Sequence, residues 1–278
     1  MRGFWVDERV DGGAWNLKNP LYNLAYKYYK TKESDYIRNA DAIISLTEAG
    51  KKEIITWTSY KTAPIQVIPC SADFDLFALI TPEQRTKSRN LLKINQDALV
   101  LSYLGSVGVW YMLDEMLMLF ARIKENYKDA VFLFITPEPA NVILAAAHKF
   151  NLKDTDFIIR SATRKEVPLY TSASNINVFF IKQSYSKIAS SPTKLGEILA
   201  MGLPVICNSK VGDVEEIINY TNSGYVIDTF DKENYDKIVD LIPSLLQNIP
   251  QMIRDKSFSY YDLNKAIEKY ASIYEYLV

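Results

Sequence analysis

The chain has 278 residues, 48% hydrophobic and 23% charged, with a net charge of −1. That length fits two domains, or one large one with ample core, and the near-neutral balance with a pI near 6.0 argues against a nucleic-acid partner. No apolar run reaches the ~18 to 20 residues of a membrane helix, and "MRGFWVDERVDGG" lacks the apolar centre of a signal peptide. The two cysteines, Cys70 and Cys207, lie far apart in or beside apolar runs, which fits a reduced, cytoplasmic compartment better than a disulfide framework.

The first part of the chain reads as an incomplete α/β unit. A helix is expected from Tyr22 to Arg38, with Tyr22, Tyr26 and Tyr29 on one face as a packing stripe. "DAIISLT" reads as a strand, Glu48 to about Ser59 as a helix, and "IQVIP" as a second strand. Two strands make a poor sheet alone, and the unfinished edge predicts dimerisation or poor solubility. The expected division is a partial N-terminal domain at 1–78, an interdomain connection at 79–96, a main domain at 97–258, and a C-terminal helix at 259–278.

From Ala98 onward the pattern is regular. "ALVLSYL" is an apolar strand followed by the glycine turn "GSVG" and a helix with Leu113, Met116, Leu117, Phe120 and Ile123 on one face. "AVFLFIT", "DFIIR", "INVFFI", "PVICN" and "GYVID" read as further strands separated by helical segments. Strands that are apolar throughout are buried on both faces, so this half is predicted to be α/β, a doubly wound parallel sheet. "DLNKAIEKYASIYEYL" closes the chain as an amphipathic helix with Leu263, Ile267, Tyr270, Ile273, Tyr274 and Leu277 along one side.

In such sheets ligands sit beyond the carboxyl ends of the strands. Two loops there carry chemistry. Gly105, Ser106 and Gly108 follow a buried strand, and small residues let backbone N–H groups approach a phosphate. The stretch "SPTKLGEILAMGLPVI" places Ser191 as an expected N-cap, Pro192 at the first helical position, and Thr193, Lys194 and Glu197 toward the mouth of the sheet. The helix start could hold a diphosphate, Lys194 neutralise it, and Glu197 accept from vicinal hydroxyls. The competing structural reading is an exposed (i, i+3) ion pair of Lys194 with Glu197. Lys182 and Lys187 in the preceding loop add to the expected anion site.

"ADAIISLTEAGKKEI", "IQVIPCSADFDLF", "LGSVGVWYMLDEML", "SPTKLGEILAMGLPVI" and "VGDVEEII" occur in that order. Together they resemble the landmarks of GT-B retaining glycosyltransferases of the family 4 type, also called glycosyl transferases group 1. The resemblance implies two Rossmann-like domains, the C-terminal one holding a nucleotide-diphosphate sugar, with a UDP-sugar as the donor most common in such enzymes. It implies retaining, metal-independent transfer of a hexosyl group to a glycan or lipid-linked acceptor, with no cofactor beyond the donor. Peripheral membrane contact is compatible with such an acceptor.

Carried across, Glu197 matches the glutamate on the ribose hydroxyls, Gly105, Ser106 and Gly108 the loop over the diphosphate, and Arg160 with "EVPLY" the wall against the base. Lys187 and Lys194 fall where phosphate and donor sugar are contacted and are the catalytic candidates, with Gly212 near the donor sugar. The terminal helix is expected to return and brace the first domain. Ala189 stands where the family often has a sugar-holding glutamate, the Arg and Lys that often follow the glycine loop are not evident, and most of the usual first half, with its glycine-rich acceptor loop, is not seen. These departures motivate a second reading, a GT-B module that binds nucleotide or a partner subunit without turnover. A GT-B epimerase would need a cleft histidine, whereas the sole His148 is expected at the surface. Asp154-Thr155-Asp156 and Asp73-Phe74-Asp75 look like Asp-x-Asp metal motifs but sit at a strand start and in a connection, so no metal site is expected. Glu215 and Glu216 are expected as solvated carboxylates at a helix start.

Overall fold

The structure is a computed structural model and describes residues 3–277; positions 1–2 and 278 of the outer segments lie outside the described residues. The N-terminal part holds helices α1 (Trp5–Asp11) and α2 (Pro20–Asn39), strand β1 (Ile43–Ser45), helix α3 (Glu48–Thr56) and strand β2 (Ile65–Val67). β1 and β2 pair in parallel, Ile43 opposite Ile65. Their small core joins Phe4, Ile37, Ile43 and Ile54 to Ala189, which comes from the other half of the chain.

Helix α4 (Pro82–Leu92) occupies most of the segment expected to be a connection. Its start is a capping box, in which Thr81 Oγ accepts from Gln84 N–H and the Gln84 side chain accepts from Thr81 N–H. Its far end is tied to the main sheet, because the Arg89 guanidinium donates to the Ala173 carbonyl and to Asn175 Oδ1. The helix is therefore attached to the domain that follows it.

That domain is built from β3 (Val100–Leu104), α5 (Leu113–Asn126), β4 (Val131–Ile135), α6 (Ala140–His148), β5 (Phe157–Arg160), α7 (Val167–Thr171), β6 (Ile176–Phe179), α8 (Thr193–Ala200), β7 (Val205–Asn208), α9 (Val214–Thr221) and β8 (Gly224–Ile227). The six strands run parallel in the order β5-β4-β3-β6-β7-β8. This is the doubly wound α/β arrangement expected from the apolar strands. Every residue of β3, β6 and β7 is buried. Met116, Leu117, Phe120 and Ile123 of α5 are fully enclosed against the sheet, each contributing about 1.5–3 kcal/mol by leaving water. The order in which successive strands are added to the sheet reverses between β3 and β6, and the crevice at that switch point is where an open α/β sheet offers its ligand site.

Helices α10 (Lys232–Leu245), α11 (Pro250–Tyr261) and α12 (Leu263–Leu277) complete the chain. α11 packs across α8, and the Arg254 guanidinium donates to the carbonyls of Phe77, Phe74 and Ala200. On α12 Ala266 is buried, while Leu263, Ile267, Tyr270, Tyr274 and Leu277 are exposed. α2 also differs from expectation. Tyr29 packs against Trp5 and Trp15, and Tyr26 hydrogen-bonds Asp7, yet Tyr22 and Tyr29 remain partly open. Leu21, Leu24, Tyr28 and Tyr36 face solvent, because the inward side of α2 is committed to polar contacts of Tyr26 and Lys30 with Asp7.

Candidate functional site

The crevice begins with the turn after β3. Gly105 has φ +112°, and its N–H donates to the Ile135 carbonyl at 2.9 Å. A Cβ at Gly105 would lie 3.2 Å from Lys194 Nζ, so the glycine lets the lysine come against the loop backbone. Tyr103 OH donates to the Ser106 carbonyl and steadies the turn, while Ser106 Oγ donates to Glu138 Oε1 at 2.7 Å. Gly108 accepts from Tyr111 N–H, which swings the Tyr111 ring over the lysine.

Lys194 and Glu197 are both buried, at 8% and 4% exposure, and they do not pair with each other. This corrects the surface ion-pair reading. Lys194 Nζ donates to Tyr103 OH at 3.1 Å and lies 3.7 Å from the centre of the Tyr111 ring. Burial pushes its pKa down to about 7, with the Glu197 charge opposing. Glu197 Oε1 takes a hydrogen bond from the Arg164 guanidinium, which rests 4.6 Å over the Phe77 ring. Burial raises the Glu197 pKa, with Arg164 and Lys194 opposing. Glu197 is paired with Arg164, whereas Lys194 is a buried cation held by a hydroxyl and aromatic rings, the kind of environment that marks a candidate ligand site.

The helix start differs from the capping expectation. Pro192 is the N-cap, α8 begins at Thr193, and Ser191 Oγ accepts from the Cys70 N–H at 3.2 Å. Ser191 thus ties the N-terminal part to the helix start. Proline at the N-cap has no side-chain oxygen to offer the first-turn amides, and Ser191 and Thr193 both line a cleft there.

Lys187 stands on a 3-10 turn, Tyr185–Ala189. Its Nζ is 2.7 Å from Glu8 Oε1 and 3.7 Å from the centre of the Trp110 ring. Lys182 donates instead to the Asp11 carbonyl. Gly212, at φ +48°, has its N–H on the Lys187 carbonyl, and a Cβ there would meet the Ser190 carbonyl at 2.2 Å. Gly212 thereby holds the turn that carries Lys187. Arg160 ends β5 exposed, donating to the Ile159 carbonyl. The structure thus brings together Gly105, Ser106, Lys194 and Glu197, while Lys187 is engaged by Glu8 and Trp110 on the wall that also carries Thr193, and Arg160 lies exposed at the end of β5.

Ala189 is buried among Phe4, Ile37, Ile43 and Ile54, and its methyl sits against Gly50. Residue 189 therefore belongs to the joint between the two parts of the chain. Four contributors escaped sequence reasoning: Arg164, Tyr111, Trp110 and Glu8. Arg164 stands four residues after Arg160, just before "EVPLY", but nothing in its spacing points to Glu197. Asp154-Thr155-Asp156 forms a 3-10 turn rather than a strand start, and Asp156 pairs with Lys124. Asp73 Oδ1 accepts from the N–H groups of Asp75 and Leu76. Among the described residues no three His, Cys, Asp or Glu side chains are grouped to hold a metal, and no helix is long and apolar enough to cross a membrane. His148 is exposed beside Asp154.

The family model for glycosyl transferases group 1 matches residues 84–261, well over half of the chain. A Bacillus subtilis (strain 168) protein described as a teichuronic acid biosynthesis glycosyltransferase, TuaH, is 27% identical over 191 residues. That match covers 68% of this chain and 45% of the relative, so the chain spans about half the length of the curated protein it matches. Among solved structures, the lipopolysaccharide-biosynthesis glycosyltransferase WaaG is similar with a TM-score of 0.74 at 19% identity, covering 91% of this chain and 69% of that one. Sucrose-phosphate synthase from Thermosynechococcus elongatus is similar at TM-score 0.69 and 17% identity, over 88% of this chain and 60% of that one. Anabaena HepE, solved with UDP and glucose, is similar at TM-score 0.66 and 13% identity, over 86% and 64% respectively. These structural likenesses establish the shared α/β fold.

Proposed function

The chain belongs to the glycosyl transferases group 1 family, and from that premise we propose that it forms the donor-binding part of a retaining, metal-independent glycosyltransferase. The donor is a nucleotide-diphosphate hexose, with UDP as the first nucleotide to try, and the acceptor a glycan or lipid-linked sugar. The observation that carries this reading is the buried Lys194 against the Gly105 turn, one helical turn from the Arg164-held Glu197.

Each group has a physical task in this reading. The backbone of Gly105, Ser106 and Gly108 and the first turn of α8 with Ser191 and Thr193 face the diphosphate. Lys194 meets its charge, supplying the electrostatic stabilisation of a departing diphosphate that a metal ion would otherwise provide. Glu197 accepts hydrogen bonds from vicinal ribose hydroxyls, and Arg164 orients it. Arg160 and the segment before α7 lie at the base end, and Lys187, held by the Gly212 turn, lies at the sugar end. The HepE structure with UDP and glucose supports the choice of donor class. Cytoplasmic residence and a homodimer through the unfinished N-terminal edge strand belong to the same proposal.

Titration with UDP, GDP and ADP tests it. One nucleotide is expected to bind below millimolar concentration, and Glu197→Ala to weaken it by about tenfold or more, the loss of hydrogen bonds to a charged acceptor. Absence of binding by all three, or an unchanged affinity in Glu197→Ala, would sink the donor-site reading.

A further inference from the structure

A hollow of about 530 Å³ opens between α1, α2 and β1, within the size range of small-ligand sites. It shares no residue with the crevice that holds Lys194 and Glu197. Trp5, Val6, Tyr29, Tyr36, Ile37 and Ile43 make most of its wall, which is therefore apolar and aromatic. Its two charged side chains differ in state. Glu33 is held by Lys30, whereas Lys32 has no carboxylate partner among the described residues and lies 5.7 Å from the centre of the Tyr28 ring.

The outer side of α2 repeats this imbalance. Its acids are committed, Glu33 to Lys30 and Asp35 to Arg38, while Lys27, like Lys32, has no carboxylate partner among the described residues. Leu21, Leu24 and Tyr28 stand three and four residues apart on one side and are each more than half exposed. Trp5, Trp15 and Tyr29 form a ring cluster at the mouth of the hollow. A sugar or nucleotide would press its hydroxyls and phosphates against a wall with few partners for them. A long apolar chain fills that wall, and an anionic head beside it meets Lys32. A free fatty acid would do this much but would leave the Leu21–Tyr28 stripe in water. A bilayer with acidic lipids covers both, since exposed leucines enter the acyl boundary, tyrosines and tryptophans sit at headgroup depth, and lysines face the anionic heads.

We propose that α2 docks in the plane of an anionic bilayer surface, and that the hollow beside it receives an acyl chain of an acidic phospholipid whose phosphate meets Lys32. The assignment goes beyond the donor-site reading and does not depend on it. With 20 residues α2 is about 30 Å long, so the contact is an extended one, with the lysines supplying a salt-sensitive attraction.

The test sediments the whole chain with vesicles of phosphatidylcholine alone and of phosphatidylcholine mixed with phosphatidylglycerol. Two double variants at exposed positions are compared with it, Lys27→Glu with Lys32→Glu and Leu24→Ser with Tyr28→Ser, and thermal melting and UDP affinity are measured on the same samples. Binding is expected to the acidic vesicles, to weaken with added salt, and to fall about tenfold or more in each variant, with melting and UDP affinity unchanged. Brominated acyl chains are expected to quench tryptophan fluorescence, and Trp5→Phe to lose part of that quenching. No binding to acidic vesicles, equal binding to neutral ones, binding unaltered in either variant, or quenching unaltered in Trp5→Phe would overturn the proposal. Sodium laurate quenching or shifting Trp5 emission without vesicle binding would assign the hollow to a soluble fatty acid instead. Self-association lost in Leu24→Ser with Tyr28→Ser, again without vesicle binding, would give the face to a second copy; either result overturns the bilayer. If UDP does not bind but the vesicle results hold, the donor reading fails and the lipid site stands.

Discussion

Lys194 shows how a residue's chemistry depends on what surrounds it. Its ordinary value of 10.5 is pushed down to about 7 by burial, so the folded chain holds fewer protons than the unfolded chain between those limits. The contribution of this group is therefore fully favourable above about 10.5 and is lost as pH falls toward 7. A diphosphate beside Nζ favours the charged form, so nucleotide binding above pH 7 should take up a proton. UDP affinity is expected to fall as pH rises from 7 to 9, and Lys194→Met to abolish that slope while weakening binding at pH 7. Calorimetry in two buffers of different ionisation heat reads the proton directly; equal heats would contradict it. The lysine and the glutamate were legible in the sequence because their types and spacing at a helix start are unusual. Their partners were not, because Tyr103 reaches them from β3 and Tyr111 and Arg164 from loops distant in the chain.

α8 was recognisable as an element from its apolar spacing and from the Gly202 break into β7. Its tight packing was not. A Cβ on Gly196 would lie 2.9 Å from the ring of the fully buried Tyr261 on α11, so two helices approach there only because the side chain is absent. Gly196→Val is expected to lower stability by about 1–3 kcal/mol, read as a lower melting temperature, whereas Gly108→Ala, where the nearest atom would be 3.7 Å away, should melt as the unaltered protein does. α2 shows the limit of reading periodicity alone. Its tyrosine spacing predicted a packed stripe, but the small two-stranded piece beside it has little apolar surface to offer. The inward face is instead drawn to Asp7, and Leu21, Leu24, Tyr28 and Tyr36 point to water.

At the scale of the molecule, the two parts meet through polar capping as well as apolar contact. The Asp213 carboxylate accepts from the N–H groups of Glu48 and Ala49 at the start of α3, and Thr47 Oγ1 donates to the Ile188 carbonyl. The carboxylate complements the helix dipole, although burial raises its pKa. Asp213→Ala should cost about 1–2 kcal/mol, as loss of an N-cap does, and should raise proteolysis in α1–α3 before the main sheet is cut; uniform protection would count against this joint. The exposed apolar faces of α2 and α12 predict self-association, which Leu21→Lys with Leu24→Lys should reduce; a monodisperse monomer of the unaltered chain in light scattering would refute it.

The amino-acid sequence by itself determined the α/β class, the strand and helix order of the main domain and the glycine and lysine-glutamate landmarks of the crevice, because burial on both faces and helix-start chemistry are local signals. Only the tertiary structure decided that Glu197 answers to Arg164, that Ser191 bonds Cys70 rather than capping α8, that residue 189 is sealed in a core, and that Glu8 faces the cleft. Those pairings join residues far apart in the chain, and no local propensity encodes which distant side chain arrives at a given carboxylate.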